Sequence, residues 1–248
     1  MVRDFTLSKY RELLECLEKN GYEFCRVVDH LRGDEKSPYV ILRHDVDRQK
    51  RNALKMARLE EDLGVNSSYY FRYPKTFDRD LIEGISDLGH EIGYHYEAFS
   101  KAEGDVDKAL KIFSEELQKF REIFKVKTIC MHGAPLSDVD NQDLVEYLDF
   151  NKFDLEGDAI DSVNSDVIYF TDTGRRWDEK FNVRDKVGEK EEKRELKSTD
   201  ELIEAIEEES FDKLYINAHP ERWNENVVMW TYKYMLDVAF NYGKKILS

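Results

Sequence analysis

Strand-like and helical patterns alternate along nearly the whole chain, and this alternation limits the fold more than any other feature of the sequence. Segment 39–47, "YVILRHDVD", begins with the apolar run of a strand, and segment 48–64, "RQKRNALKMARLEEDLG", has apolar residues at helical spacing. Further strand patterns are "SSYYFRY", "HEIGYHY", "KTICMHG" and "DKLYINAHP", and helical patterns lie between most of them. Repeated strand–helix–strand units predict an α/β fold with a parallel sheet.

The length and the punctuation of the chain indicate one domain. The 248 residues match the size of a single barrel of alternating strands and helices, and only 4 prolines and 12 glycines interrupt them. No clear linker separates two halves. The sequence therefore predicts one domain over residues 1–248, in which residues 1–36 form an N-terminal helical and strand extension.

The charge and the cysteines narrow the choice of partners and compartment. The 53 acidic and 38 basic residues give a formal net charge of −15, which disfavours nucleic acid and membrane surfaces as partners. The N-terminal segment is charged in every turn, unlike a signal peptide, and no apolar run has transmembrane length. Cys16, Cys25 and Cys130 form no CxxC pair and are interpreted as buried thiols in a reducing compartment. These features predict a cytoplasmic protein.

Polar residues collect where the predicted strands end. Five of the six histidines lie at strand ends, namely His44, His90, His95, His132 and His219. In parallel α/β folds, ligands and catalytic groups gather at the carboxyl ends of the strands. This clustering predicts a functional site at that end of the sheet.

The segment "RHDVD" places two carboxylates at the end of one strand. Because side chains alternate along a strand, Arg43, Asp45 and Asp47 should share one face, and His44 should point to the other. Two nearby carboxylates repel each other unless a cation or a proton lies between them, so a divalent metal with a general base is one interpretation. In the other interpretation, Asp47 caps the helix that follows and Asp45 pairs with Arg43.

Three further strand ends carry candidate ligands. In "GHEIGYHYE", His95 and Glu97 share a face, and His95 has the chemistry of a metal ligand, with a buried structural histidine as the alternative. In "MHGAP", His132 follows a strand in a loop where glycine lets the backbone approach a ligand closely. In "INAHPERW", His219 ends a strand and Trp223 lies nearby.

Together these stretches resemble the polysaccharide deacetylases of the NodB-homology type, which form carbohydrate esterase family four. The resemblance covers residues 39–223 and depends on the order of the motifs as well as on their content. "ILRHDVD" resembles the first motif of that family, and "GHEIGYH" resembles the second and is the most specific match. "HGAP" and "NAHP" stand where the third and final motifs would be. The resemblance implies a distorted (β/α) barrel with one divalent metal ion, commonly zinc.

The resemblance also implies roles for individual residues. Asp45 would be the catalytic base, Asp47 and His95 would bind the metal, and His219 would be the acid that protonates the departing amine. The metal would polarise an acyl carbonyl and lower the pKa of its water.

The sequence departs from the family pattern at three places. Val46 separates the two aspartates, which are adjacent in the family, so base and ligand could be exchanged. Phe99 stands where the second motif has another histidine. The third ligand is therefore unassigned, and the candidates for a ligand or a supporting contact are Glu97, His44 and His132. Where the third motif usually has an arginine that pairs with the base, this chain has His132.

The function implied is removal of an acetyl or similar acyl group from an N-acetylated sugar or sugar derivative by a metal-activated water. The substrate would be a small molecule or an oligosaccharide, and Trp223 would contact it. Asp172, in "TDTGRRW" at the end of another predicted strand, is a further candidate for substrate binding, with a structural turn at Gly174 as the alternative. The alternatives are a hydrolase of other small non-peptide amides, and a catalytically silent barrel that binds a glycan or a protein partner. The sequence does not specify the oligomeric state.

Overall fold

The computed structural model describes residues 3–134, 137–163, 166–178, 180, 187, 195–209 and 211–247, the last nine of these by their backbone alone. The strands are β1 (Glu23–Cys25), β2 (Tyr39–Val46), β3 (Ser68–Phe71), β4 (Glu91–Tyr96), β5 (Thr128–Met131), β6 (Gly157–Asp158), β7 (Ile168–Thr171) and β8 (Lys213–Ala218). The α-helices are α1 (Leu7–Lys19), α2 (Val27–Arg32), α3 (Lys50–Asp62), α4 (Arg79–Ser86), α5 (Ala98–Lys101), α6 (Val106–Arg121), α7 (Thr199–Glu208) and α8 (Val227–Leu247). Two 3₁₀ helices, Asn141–Tyr147 and Pro220–Arg222, follow β5 and β8. Within the described ranges, no helix combines the length and the hydropathy needed to cross a bilayer.

The strands form one parallel sheet in the order β6-β5-β4-β3-β2-β8-β7. β1 pairs with the first half of β2, and β3 pairs with its second half. In the part of the chain that is described, the outer strands β6 and β7 are not paired with each other. The Tyr215 hydroxyl on β8 donates to the carbonyl of Ala159, just after β6, at 2.7 Å. Since β8 and β6 are far apart in the strand order, the sheet must curve to bring them together. The protein is therefore an open, distorted barrel flanked by helices, and the predicted α/β fold is confirmed.

The segment predicted as an N-terminal extension contributes to the barrel. Within it, β1 adds a strand beside β2, and α2 lies across the amino ends of β3 and β4. The backbone N–H of Val27 donates to Ser68 Oγ at 2.8 Å, and that of Val28 donates to Glu91 Oε2 at 3.1 Å. These contacts satisfy amides at the start of α2 that have no partner inside the helix. The amino end of the barrel is thus covered, and the opposite end is left for a site.

A buried carboxylate joins the sheet to the helices on its outer face. Glu60 in α3 accepts hydrogen bonds from the hydroxyls of Tyr10 at 2.5 Å, Ser67 at 2.7 Å and Tyr69 at 2.8 Å. Its Oε1 also lies 2.7 Å from the Nε2 of His44 on β2. Burial raises the pKa of Glu60, but the charge and hydrogen bond of His44, with further contacts, outweigh burial and lower the pKa to about 2. The carboxylate therefore stays charged in the folded protein under ordinary conditions.

We expect Glu60→Gln to destabilise the protein at neutral pH and to matter less in acid. The folded pKa of about 2 lies below the ordinary value of 4.5, so the charged carboxylate contributes stability above pH 4.5 and loses that contribution as the pH falls towards 2. The pKa difference corresponds to a contribution on the order of 3 kcal/mol. Urea unfolding of both proteins between neutral pH and about pH 3 should show a free-energy difference that shrinks in acid. A difference that does not change with pH would contradict this account.

Side chains fill the barrel below the carboxyl ends of the strands. Tyr70 on β3 pairs in register with Gly93 on β4, and the Tyr70 hydroxyl lies 2.7 Å from Thr128 Oγ1 on β5. A Cβ atom at Gly93 would be 2.3 Å from Tyr70 Cε1. Real Cβ atoms do not approach a ring carbon so closely, so the Tyr70 ring requires glycine in the middle of "EIGYH".

Gly93→Ala should therefore destabilise the protein by about 1–3 kcal/mol, because the fully buried Tyr70 ring must shift to admit the new methyl group. Gly84→Ala in α4 is the matched control. A Cβ at Gly84 would make an ordinary contact, 3.6 Å from Leu54 Cδ1, and alanine favours a helix. Urea unfolding should show a loss of stability for the first variant and none for the second, and equal stabilities would contradict the packing argument.

Candidate metal and catalytic site

The candidate residues come from the carboxyl ends of four strands. Asp45 lies on β2, and Asp47 follows the end of that strand. His95 lies on β4, and His132 and His219 are the first residues after β5 and β8. Because the strands are parallel, the structure places all five residues at the same end of the barrel.

Three of these side chains converge on a single point. Asp47 Oδ1 lies 3.3 Å from His95 Nε2 and 3.1 Å from His132 Nδ1. One ligand atom from each residue lies within 4.8 Å of the others. His132 reaches this position because its backbone N–H donates to the carbonyl of Tyr96 at 2.7 Å, which continues the pairing of β5 with β4. The sequence left three candidates for the third ligand, and of these the structure brings His132 beside Asp47 and His95.

The orientations of these groups fit a divalent metal ion. His95 Nδ1 lies 3.0 Å from the carbonyl of Cys130, to which it can only donate, so Nε2 is the nitrogen that faces Asp47. Metal-binding histidines are usually held in this way by their second nitrogen. Asp47 Oδ1 is buried, yet it makes no hydrogen bond of acceptable geometry with either imidazole. Two histidines and one carboxylate form a typical donor set for catalytic zinc, with water in the open position.

Asp47 is not the cap of the following helix. The residue that precedes α3 is Gln49, and its side chain makes no capping hydrogen bond. Burial raises the pKa of Asp47, but the charges of His132 and then of His95 lower it well below the ordinary value. The carboxylate is therefore charged and faces the two imidazoles.

Asp45 is held by groups from two neighbouring strands. Arg43 Nη2 and Asn217 Nδ2 each donate to Asp45 Oδ2 at 3.0 Å. Burial raises the pKa of Asp45, but the charges of Arg43 and then of His95 outweigh burial and lower it. Arg43, from the same strand, is thus the arginine that pairs with Asp45. The alternation of side chains along β2 already predicted that Arg43 and Asp45 share a face.

Asp172 orients His219. One oxygen of Asp172, Oδ1, lies 2.7 Å from His219 Nδ1, and the other accepts from the His219 backbone N–H at 2.9 Å. Arg222 forms an ion pair with the same carboxylate. Burial and the charge of Arg222 lower the pKa of His219, but Asp172 outweighs them, and the pKa is raised above the ordinary value. Nδ1 is thereby engaged, and Nε2 is the nitrogen that can meet a substrate.

The structure corrects two predicted substrate contacts, Asp172 and Trp223. Both side chains are 0% exposed. Trp223 packs against Phe5 and Tyr10 at centroid distances of 5.0 and 5.1 Å, and its Nε1 donates to Asp172 at 2.8 Å. Neither side chain can reach a substrate. Nothing in the sequence distinguished a tryptophan that lines a groove from one that packs beneath the site.

The structure also corrects two of the candidate third ligands, His44 and Glu97. His44 points to the outer face of the sheet, where it contacts Glu60 and the carbonyl of Ala218. Glu97 forms ion pairs with Arg72 and with Lys101, the latter at 3.2 Å. Both side chains are therefore occupied away from Asp47.

Glu221 is a buried carboxyl near the site that sequence reasoning missed. It lies in the 3₁₀ helix after His219, and its Oε2 is buried without a hydrogen-bond partner. Burial and then the charge of Asp47 raise the pKa of Glu221 to about 7. In the sequence, only the position of Glu221 two residues after His219 indicated that it lies near the site.

The chain has few recognisable relatives among known proteins. No family model and no curated protein matches the chain. The solved structures that are similar to it include the following two. One is a family 4 carbohydrate esterase (CE4) pseudoenzyme from Bacillus anthracis, 13% identical, with a TM-score of 0.46, covering 84% of this chain and 62% of that chain. The other is a family 4 carbohydrate esterase from Bacillus anthracis, 13% identical, with a TM-score of 0.38, covering 91% of this chain and 83% of that one. The chain thus spans less than two thirds of the length of the first of these structures.

Asp172→Asn should lower the pKa of His219 below its ordinary value of 6.5, because burial and the charge of Arg222 remain while the opposing carboxylate is lost. The pH titration of the histidine Cε1–H resonances by NMR measures this shift. The resonance of His90, which is hydrogen-bonded to Ala57 behind the sheet, serves as the control and should not move. An unchanged midpoint for His219 would contradict the assigned role of Asp172.

Proposed function

We propose that this protein is a metal-dependent hydrolase that removes an acetyl or similar acyl group from an N-acetylated sugar or sugar derivative. The observation that carries the proposal is the convergence of Asp47, His95 and His132, with Asp45 and His219 at the same end of the barrel. The motif resemblance over residues 39–223 supports the choice of reaction and of substrate class. Zinc suits the donor set best.

Asp47, His95 and His132 would hold the ion. When bound there, a divalent ion supplies Lewis acidity that polarises an acyl carbonyl and makes a water molecule easier to deprotonate. The charged Asp47 lowers the net charge of the filled site, and the Cys130 carbonyl keeps the His95 ring in the required orientation.

Asp45 would accept the proton of the attacking water. Its Oδ2 is fixed by Arg43 and Asn217, so the carboxylate cannot turn away, and Oδ1, which accepts a weak hydrogen bond from the Cys130 thiol at 3.8 Å, is the atom placed to take a proton. Its lowered pKa keeps it ionised and therefore competent as a base.

His219 would donate a proton to the departing amine. Asp172 holds its Nδ1 and raises its pKa, so the imidazolium persists closer to neutral pH than that of a free histidine. An acid with a pKa near the working pH is the most effective proton donor. The Asp172 carboxylate thus orients the His219 ring and favours its protonated form.

The metal content of the purified protein tests the ion site. After zinc loading and desalting, the unmodified protein should retain about one zinc per chain, and Asp47→Ala, His95→Ala and His132→Ala should each lose it. Glu97→Gln is the control, because Glu97 is engaged with Arg72 and Lys101, and this variant should keep its zinc. Circular dichroism establishes that each variant is folded. Absence of bound zinc, nickel, cobalt and manganese in the unmodified protein would overturn the proposal.

Acetate release from acetylated sugars and nucleotide-linked sugars tests the reaction. Asp45→Asn should keep the zinc and reduce turnover by about 10²-fold or more, because the proton acceptor is lost. If the protein hydrolyses other small amides but no acetylated sugar, the proposed substrate class is wrong and the proposed ion site is unaffected. A zinc-loaded protein with no turnover on either set would favour a barrel that only binds a glycan or a protein.

A further inference from the structure

A second set of metal-binding atoms lies two residues deeper along the same strands. Asp45 and Cys130 each precede a member of the first set, Asp47 and His132, by two residues, and so face the same interior. Asp45, His95 and Cys130 each offer one ligand atom, and these atoms lie within 4.8 Å of one another. The three side chains are 3%, 2% and 0% exposed, so the position is closed to bulk water.

His95 belongs to both sets and can serve only one at a time. Its Nδ1 is engaged by the carbonyl of Cys130 at 3.0 Å. Nε2 is therefore the only nitrogen left for an ion, whether the other ligands are Asp47 and His132 or Asp45 and Cys130. A single imidazole nitrogen binds one ion, so the two positions are mutually exclusive.

The inner set offers suitable atoms. Asp45 uses Oδ2 for Arg43 and Asn217, and its Oδ1 lies 3.8 Å from Cys130 Sγ. The charge of Arg43 opposes a cation here, and two anionic ligands, a carboxylate and a thiolate, offset it. A thiolate is a soft ligand, and soft ions prefer it over the carboxylate and imidazoles of the outer set.

We propose that the inner set forms a second metal position, selective for thiophilic ions such as Cd²⁺, which excludes zinc from the outer position by taking His95. On binding, the S–H bond of Cys130 breaks, a bond between Sγ and the ion forms, and the proton passes to the buffer. No electron is transferred. The ion also engages Asp45, so it removes the base together with the outer site. This position lies outside the proposed hydrolysis, and its test requires no substrate.

Titration of the metal-free full chain with Cd²⁺ alone tests the position. The unmodified protein should develop a thiolate-to-cadmium charge-transfer absorption in the ultraviolet that saturates at one ion per chain. Cys130→Ser should lose this absorption, and His132→Ala should keep it. Cys16→Ser and Cys25→Ser are matched controls, because both thiols are buried and neither belongs to a set of converging ligand atoms among the residues that the structure describes, and these variants should keep the absorption.

Competition between the two ions tests the shared histidine. Zinc added before cadmium should suppress the absorption, and the total should never exceed one tightly bound ion per chain. Retention of the absorption in Cys130→Ser, or simultaneous binding of one zinc and one cadmium, would overturn the proposal. Cadmium-113 NMR of the unmodified protein gives the same answer without a substitution, since a shift typical of oxygen and nitrogen ligands alone would also overturn it.

Discussion

The guanidinium group of Arg43 carries a positive charge at the centre of the barrel. Groups on three strands surround and compensate this charge, and the arrangement of those strands depends on it. The side chain is 0% exposed and lies over the rings of Tyr169 and Tyr215, at 5.9 and 5.5 Å from their centroids. A buried charge costs several kcal/mol unless it is paired, and Asp45 supplies the opposite charge. Because these groups come from β2, β7 and β8, a slip of one residue in β2 would carry Arg43 and Asp45 together to the outer face, away from Tyr169 on β7 and from Tyr215 and Asn217 on β8.

β2 satisfies polar groups on both of its faces, and this explains how a fully buried strand can end in charged residues. On the inner face, Asp45 meets Arg43 and Asn217, and on the outer face His44 meets Glu60. Burying such groups is costly only where they lack partners. The two networks hold the strand from opposite sides, so the carboxylates at its end have little freedom to move. Such rigidity is what a site with fixed ligand positions requires.

Period-two alternation within one strand was enough to predict part of the site. It placed Arg43 and Asp45 on one face of β2 and His44 on the other, because these relations depend on a single segment. The position of His132 depends instead on the register between β4 and β5, in which His95 pairs with Cys130. No local pattern encodes a register between strands separated by a long helix. The burial of Trp223 under Phe5 and Tyr10 was unpredictable for the same reason, since Trp223 is more than 200 residues away from the N-terminal segment that holds Phe5 and Tyr10.

The interior below the site is filled, and under the proposed function this would limit the length of the acyl chain. Tyr70 and Thr128 close the barrel one layer beneath His95 and Cys130, and Glu91 bonds to Thr128 at 2.5 Å still closer to the covered amino end. The Tyr70 ring fills the space next to Gly93 that a side chain would otherwise occupy. If the proposed hydrolase holds an acyl group beside Asp45, the side chains that the structure describes leave that group no room to extend towards the amino end. A long acyl tail would then have to leave the way it entered, through the carboxyl end of the barrel, and a short group such as acetyl would not.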